Sequence, residues 1–373
     1  MPAAIAVGVA CTVVALLGLL GRPSDGRPWP SQVVVFGLPL GIIAAGYAAS
    51  IGANLLWSLV AVLSVFAAVL IGSLLGRQTA LADQSRRPAA AGLSLAFSGL
   101  IALGLAVIVV QWAGHLIGSF ANLHNVVVKA VLVLAAVAYG IGGRAVRGLS
   151  RLVLVLVVVG ALGMLAAGVL LGDLSGLLNP EVPVPALSPA AAVAYGIGVV
   201  LIGAGFPVLR GASHDNRRAA IAAAVIIALV VLAYLIGMMA LYGGAFQLPS
   251  LVINVLPANL PPAAAVVICA LVAIICTVVA GACIHAASEA TARIVPAWYA
   301  DTEHHRGPLR AVALAMGAAV FVISWMAPTP VRVVAVLAVL GGANLVAEWR
   351  LARADGSADA PQGGRSPAAA PAA

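Results

Sequence analysis

Charge is what this chain has least of. Asp, Glu, Lys and Arg make up 8% of its 373 residues, where a soluble domain carries about a quarter. Lysine occurs once, at Lys129, and aromatic residues reach only 5%. Four cysteines are present without a CxxC pair or a Cys/His cluster, which excludes a disulfide framework and a zinc module. There is no HExxH, no GxSxG and no paired acid within an apolar run, so no catalytic set is recognisable and the chain does not read as an enzyme. A P-loop is also missing, so any transport would be secondary. No cofactor is indicated. The formal charge of +8 is scattered between apolar runs and does not form the patch that nucleic acid needs.

What remains is apolar. Hydrophobic residues make up 63% of the chain and the mean hydropathy is +1.15. This is an all-α, polytopic protein of the cell membrane, with the bilayer as its first partner. Apolar runs long enough to span lie near 3–20, 32–50, 53–75, 91–112, 123–142, 150–172, 190–209, 219–243, 262–286, 309–327 and 330–347, about eleven in all. The first lacks a basic n-region and an A-x-A exit, so it reads as a span that stays. The tail after Ala354 is rich in Pro, Gly and Ala and is expected to be a disordered cytoplasmic segment over 354–373.

Loop charges set the direction. Alternate connections hold Arg22 and Arg27; Arg77, Arg86 and Arg87; Arg144, Arg147 and Arg151; Arg210, Arg217 and Arg218; Arg293, Arg306 and Arg310; and Arg350, Arg353 and Arg365. The other side keeps Lys129 and Arg332. Basic residues gather in the cytoplasm, so the expectation is N-terminus outside and C-terminus inside.

Span spacing then divides the chain. Starts near 32, 53, 91, 123 and 150 are matched by starts near 190, 219, 262, 309 and 330. Each set is a close pair, a third span after a polar loop, and a tightly joined fourth and fifth. Five is odd, so the two sets enter from opposite faces, which is an inverted repeat. The expected units are 1–31 as an extra N-terminal helix and loop, 32–172 as the first repeat, and 190–350 as the second.

The first span of each set is interrupted by Gly and Pro: Gly37, Pro39 and Gly41 in one, Gly203, Gly205 and Pro207 in the other. Gly and Pro free backbone groups that hydrocarbon cannot serve, so a break belongs where protein or a wet cavity surrounds it. Half-helix ends would offer N–H groups to an anion and carbonyls to a cation. The plainer reading is close packing or a kink, but recurrence in matching positions favours a site. Its candidate substrate-binding residues are Gly37, Leu38, Pro39, Gly41, Tyr47, Gly203, Gly205, Phe206 and Pro207. Asn54 and Tyr195 are further polar candidates, with a helix cap and an interfacial belt as their alternatives.

The ninth span raises three more questions. Thr277 sits at its middle and is either an ion-coupling hydroxyl or a packing residue bonded to its own helix. His285 and Glu289, an i,i+4 pair, are either an inner-gate proton relay or interfacial polar residues. Cys269, Cys276 and Cys283 lie on one face, but successive sulfurs are roughly 10 Å apart at 1.5 Å per residue. That spacing fits packing and not a shared metal. Lys129 is expected to snorkel to the outer surface, and Asp301, Glu303, His304, His305 and Arg306 to form a solvated loop.

Three segments resemble a known family. GFPVLRGASHDNRRAAIAAAVIIALVVLAYLIGMMALYGG resembles the sixth and seventh core helices of amino acid–polyamine–organocation (APC) superfamily permeases. VLVLAAVAYGIGGRAVRGLSRLVLVLVVVGALGMLAAG is similar to their fourth and fifth helices. FQLPSLVINVLPANLPPAAAVVICALVAIICTVVAGACIHAASEATARI is most similar to the compact YkvI-like branch. The resemblance covers 32–350 and implies the LeuT-type fold, in which five helices and five inverted helices hold substrate between broken first and sixth core helices. It also implies that a hydroxyl such as Thr277 would join first-helix carbonyls around sodium in sodium-coupled members. Two departures stand out. The usual GxG break is FGLPLG here, and no acid lies between Gln32 and Ser50, where YkvI-like proteins tend to have one. The implied function is secondary active transport of a small amino acid or related organic solute, with coupling to Na+ or H+ left open. The alternative is a transporter-like sensor or complex subunit that carries nothing.

Overall fold

A chain in hydrocarbon must satisfy its own backbone, and helices do so within one segment. The computed structural model describes residues 2–20, 30–51, 55–75, 88–142, 146–172, 189–206, 217–242, 262–294, 307–326 and 330–358. They form eleven helices: α1 (Pro2–Leu20), α2 (Pro30–Ile51), α3 (Leu55–Leu75), α4 (Pro88–Ala121), α5 (Asn125–Gly142), α6 (Val146–Leu171), α7 (Pro189–Ala204), α8 (Arg217–Tyr242), α9 (Pro262–Ile294), α10 (Gly307–Met326) and α11 (Pro330–Ala358). Six of them open on proline, which needs no N–H in the first turn and has its φ already set. Seven are long and apolar enough to cross a membrane. The α4–α5 corner closes with Asn122 at φ 51° and Leu123 N–H donating to the Gly118 carbonyl at 2.9 Å. This is a Schellman stop with Asn in the left-handed position.

The packing repeats when helix numbers are advanced by five. α2 packs on α8 and α6; correspondingly, α7 packs on α3 and α11. The α4–α5, α5–α9 and α6–α9 seams recur as α9–α10, α10–α4 and α11–α4. Gly37 and Gly41 lie along Ile227 and Val231, while Gly196 and Gly203 lie along Ser64 and Ala68. Residue numbers rise together in both cases, so the corresponding pairs α2–α8 and α7–α3 are both parallel. α4 against α9 is the most extensive interface and forms the centre of the core. α1 stands outside the repeat and packs on α5 and α9. Its other face, with Ile5, Val9 and Leu16 exposed, is an apolar surface suited to lipid.

Several expectations change. α2 is helical without interruption from Pro30 to Ile51, with Pro39 inside it, so the half-helix ends expected at Gly37–Gly41 are not formed. Pro39 costs the helix its bond to the Val35 carbonyl, and the neighbouring helix holds the rest in place. The last helix runs into the start of the tail, since α11 continues through Asp355 to Ala358, and 359–373 lie outside the described residues. Asn54, Pro207 and the cluster from Asp301 to Arg306 lie outside them too.

Lys129 does not snorkel. It is buried, its stem lies over Gly114 of α4, and its ammonium donates to the Ser324 carbonyl of α10 at 2.8 Å. Among the described residues no carboxylate pairs with it. A buried cation held only by a neutral carbonyl is costly, and an apolar isostere often does as well or better. Lys129→Met is therefore expected to unfold in detergent at or above the wild-type temperature. Lys129→Ala, which also empties the space over Gly114, is expected to lose about 2–4 kcal/mol. An equal loss in both variants would show that the ammonium–carbonyl bond dominates.

Candidate functional site

The site is built on the end of α7. This helix has 16 residues, about 24 Å at 1.5 Å each, against a hydrocarbon core of about 30 Å. It stops short because Phe206 precedes Pro207, and a residue before proline is disfavoured in helical geometry. The last turn tightens as it ends: Gly205 N–H donates to Leu201 O at 2.9 Å, and Phe206 N–H to Gly203 O at 3.2 Å. The Gly205 carbonyl then accepts from Asn344 Nδ2 of α11 at 2.8 Å, in full burial.

Glycine is required here by what lies opposite. A methyl at Gly203 would sit 2.6 Å from Ala68 Cβ and 2.7 Å from its carbonyl oxygen; one at Gly205 would sit 2.5 Å from Gly341 Cα. α7 is thus clamped on two sides, by α3 and by α11. Its third side meets α2. The Phe206 ring, fully buried, stands edge-on to Phe36 with centroids 6.1 Å apart and planes at 73°. Higher on the same pair, the Tyr195 hydroxyl reaches the Ile43 carbonyl at 3.5 Å. Positions 36 with 206 and 43 with 195 run in opposite senses, so α2 and α7 cross antiparallel, as an inverted pair must.

The candidate residues divide accordingly. Phe206 and Gly205 lie together at the α7 stop, and Gly203 lies one turn back. Gly37 and Gly41 face Ile227 and Val231 of α8 and not α7. Leu38 and Pro39 are buried within α2, and Tyr47 lies on its final turns. The α9 residues are placed elsewhere. Thr277 is buried 3.8 Å from Cys11 Sγ of α1, and the backbone of His285 lies beside Gly140 of α5. Glu289 pairs with Arg293, not with His285, in a half-exposed i,i+4 bridge, where ion pairs contribute little. Cys269, Cys276 and Cys283 are free and buried in helix packing.

Three residues had not been singled out from the sequence. Phe36 carries no signal beyond being apolar. Asn344 is an amide 14 residues into the last span and could have been flagged for that alone. Glu348 falls one residue past the apolar run, yet it is only 6% exposed and accepts from Ser94 Oγ of α4 at 3.2 Å.

No model of a known protein family matches the sequence, and no curated protein matches it either. Solved structures do match. The substrate-bound, outward-open structure of a sodium-coupled sialic acid symporter aligns over 94% of this chain and 86% of its own, at 11% identity and a TM-score of 0.68. A manganese transporter mutant from Eremococcus coleocola aligns over 89% of this chain and 79% of its own, at 16% identity and a TM-score of 0.50. At such identities the shared property is the fold. The chain is an all-α, multi-pass membrane protein of LeuT-type architecture, two inverted sets of five helices behind one additional N-terminal helix.

Proposed function

We propose that the protein is a secondary transporter that holds a small solute between α2 and α7 and releases it by alternating access. The observation that carries this reading is the stop of α7 at Gly205–Phe206, where a short apolar helix ends against α2 and α11. A membrane protein tolerates such an end where it lines a cavity or a binding site. The similar structures support the reading, since both are of transporters. Their cargoes, a sugar acid and a metal ion, differ so widely that the fold does not choose a substrate. A small amino acid or related organic solute is our choice, and it rests on the sequence resemblance to APC permeases and their YkvI-like branch. The same reading takes 32–172 and 190–350 as the two repeats. Positive loop charge supports an outside N-terminus and a cytoplasmic C-terminus.

Uptake into vesicles reconstituted with the purified protein tests this. Labelled amino acids are offered under an imposed sodium gradient and, separately, a proton gradient, with sialic acid and Mn2+ as competitors. Accumulation that follows one gradient is expected. Saturable binding without flux would favour a sensor or complex subunit instead, and competition by Mn2+ or sialic acid alone would displace the amino acid assignment.

A further inference from the structure

α11 packs on α7 and on α4, and its contact with α7 centres on two residues. Gly341 lies against the Leu201 backbone, and Asn344 against Gly205. The Asn344 amide has one sensible orientation. Nδ2 must face the Gly205 carbonyl, because the flipped amide would set oxygen against oxygen. Oδ1 is then a fully buried acceptor that receives no hydrogen bond among the described residues. An acceptor left this way is expensive to keep.

Packing does not ask for this oxygen. Holding the Gly205 carbonyl takes a donor alone, and a donor-only side chain would do so without burying an idle acceptor. The first repeat builds the corresponding seam from apolar groups. α6 meets α2 as α11 meets α7, and from Leu152 to Leu171 it carries no polar side chain. In α11 the run from Val333 to Ala343 is equally apolar, and Asn344 interrupts it. The oxygen's place is fixed as well. Oδ1 and Nδ2 share one carbon, so the acceptor stands at the stop of α7. The next residue, Phe206, turns its ring to Phe36 of α2. A solute at this end of α7 has ring edges on the α2 side and an amide oxygen on the α11 side.

We propose that Asn344 is a recognition residue, whose Oδ1 accepts a hydrogen bond from an N–H of the amino group of a small amino acid. This rests on the reading of the protein as a carrier of such a solute, and it names the group that is read. An amide oxygen has no hydrogen to give, so it selects a donor and not a charge. A site built to bond a donor rejects an analogue that lacks one, because its own buried acceptor is then left unpaired. An amine that keeps an N–H is therefore taken, and a quaternary amine of equal charge and size is refused.

The test is thermal unfolding of the purified full-length protein in detergent, with glycine, alanine, valine or trimethylglycine added. Trimethylglycine is an isomer of valine with the same charges and no N–H, so that pair separates the donor from size and charge. In the wild type the amino acids are expected to raise the unfolding temperature saturably. Trimethylglycine is expected to need a roughly tenfold or higher concentration for the same effect. In Asn344→Ala that advantage is lost and the two isomers act alike. Asn344→Asp, which keeps an acceptor but gives up the donor to Gly205, unfolds at a lower temperature and keeps the preference. Should Asn344→Ala fail to fold, the wild-type isomer pair and Asn344→Asp carry the comparison. Equal action of the isomers on the wild type, or no response to any of the four compounds, overturns the recognition role. So does an unchanged preference in Asn344→Ala, the result expected if a trapped water serves Oδ1. A preference that vanishes in Asn344→Ala, without uptake into vesicles by the wild type, overturns the transport reading and leaves Oδ1 as a binding group. Uptake that is equally selective in wild type and Asn344→Ala overturns the role of Asn344 alone.

Discussion

Gly205→Ala is expected to cut uptake sharply and to lower the unfolding temperature, whereas Gly37→Ala does far less. The two glycines look equivalent on paper, each in the first span of a repeat and each within two residues of a proline. What they face is different. A methyl at Gly205 would lie 2.5 Å from Gly341 Cα and 2.7 Å from its carbonyl carbon. These are backbone atoms of α11, and no side-chain rotation can move them aside. A methyl at Gly37 meets first the Cδ1 end of Ile227, which can change rotamer. Overpacking costs about 1–3 kcal/mol and sometimes more, so about 3 kcal/mol or more is expected at Gly205 and about 1 kcal/mol at Gly37. The larger effect also has a functional part, because parting α7 from α11 stretches the bond from Asn344 to the Gly205 carbonyl. Uptake per unit of membrane-inserted protein is therefore expected to fall about tenfold or more in Gly205→Ala. Normal uptake and stability in that variant would show that the α7–α11 contact is not part of the working site.

Most helix boundaries were legible to within a few residues, but three helices run well past their expected ends, for one physical reason. Proline opens α7, α9 and α11 within a residue of where hydropathy rises, at Pro189, Pro262 and Pro330. At the other end, apolar runs stop at the first polar side chains, but hydrogen bonding does not. α4 continues past Gln111 and His115 to Ala121, α9 past His285 and Glu289 to Ile294, and α11 past Glu348 to Ala358. A span ended at 347 leaves Glu348 outside it, although the residue is buried. The repeat was legible because spacing and loop charge both report topology. The site was less so. Gly and Pro reveal where a helix is allowed to break, but whether it breaks depends on neighbours. α2 passes through Pro39 intact beside α8, while α7 ends before Pro207. The contacts that define the α7 stop join Phe206 to Phe36 and Gly205 to Asn344, distant in sequence, and a periodicity argument along one helix has no access to them.

Phe206→Ala is expected to be the most destabilising single change at the site, because it removes a fully buried ring where α2 meets the end of α7. Truncating a buried Phe costs about 3–5 kcal/mol. The edge-on partnership with Phe36 adds about 0.5–1.5 kcal/mol beyond the area buried, so the two substitutions are not additive. A double-mutant cycle of Phe36→Ala and Phe206→Ala, read by unfolding in detergent, is expected to return that coupling. Phe206→Leu, which keeps most of the volume, separates packing from recognition. If the ring only packs, the leucine variant transports with an unchanged half-saturating concentration. If the rings line the solute's position, that concentration rises while the unfolding temperature stays near wild type. The second outcome is expected, because Phe206 follows directly on the carbonyl that Asn344 holds and projects towards α2. A ring in that place is fixed at both ends: by the stop of α7, which requires glycine at 205, and by α2, whose Phe36 edge it meets. Zero coupling in the cycle, together with wild-type kinetics in Phe206→Leu, would move the solute's position away from the α2–α7 crossing.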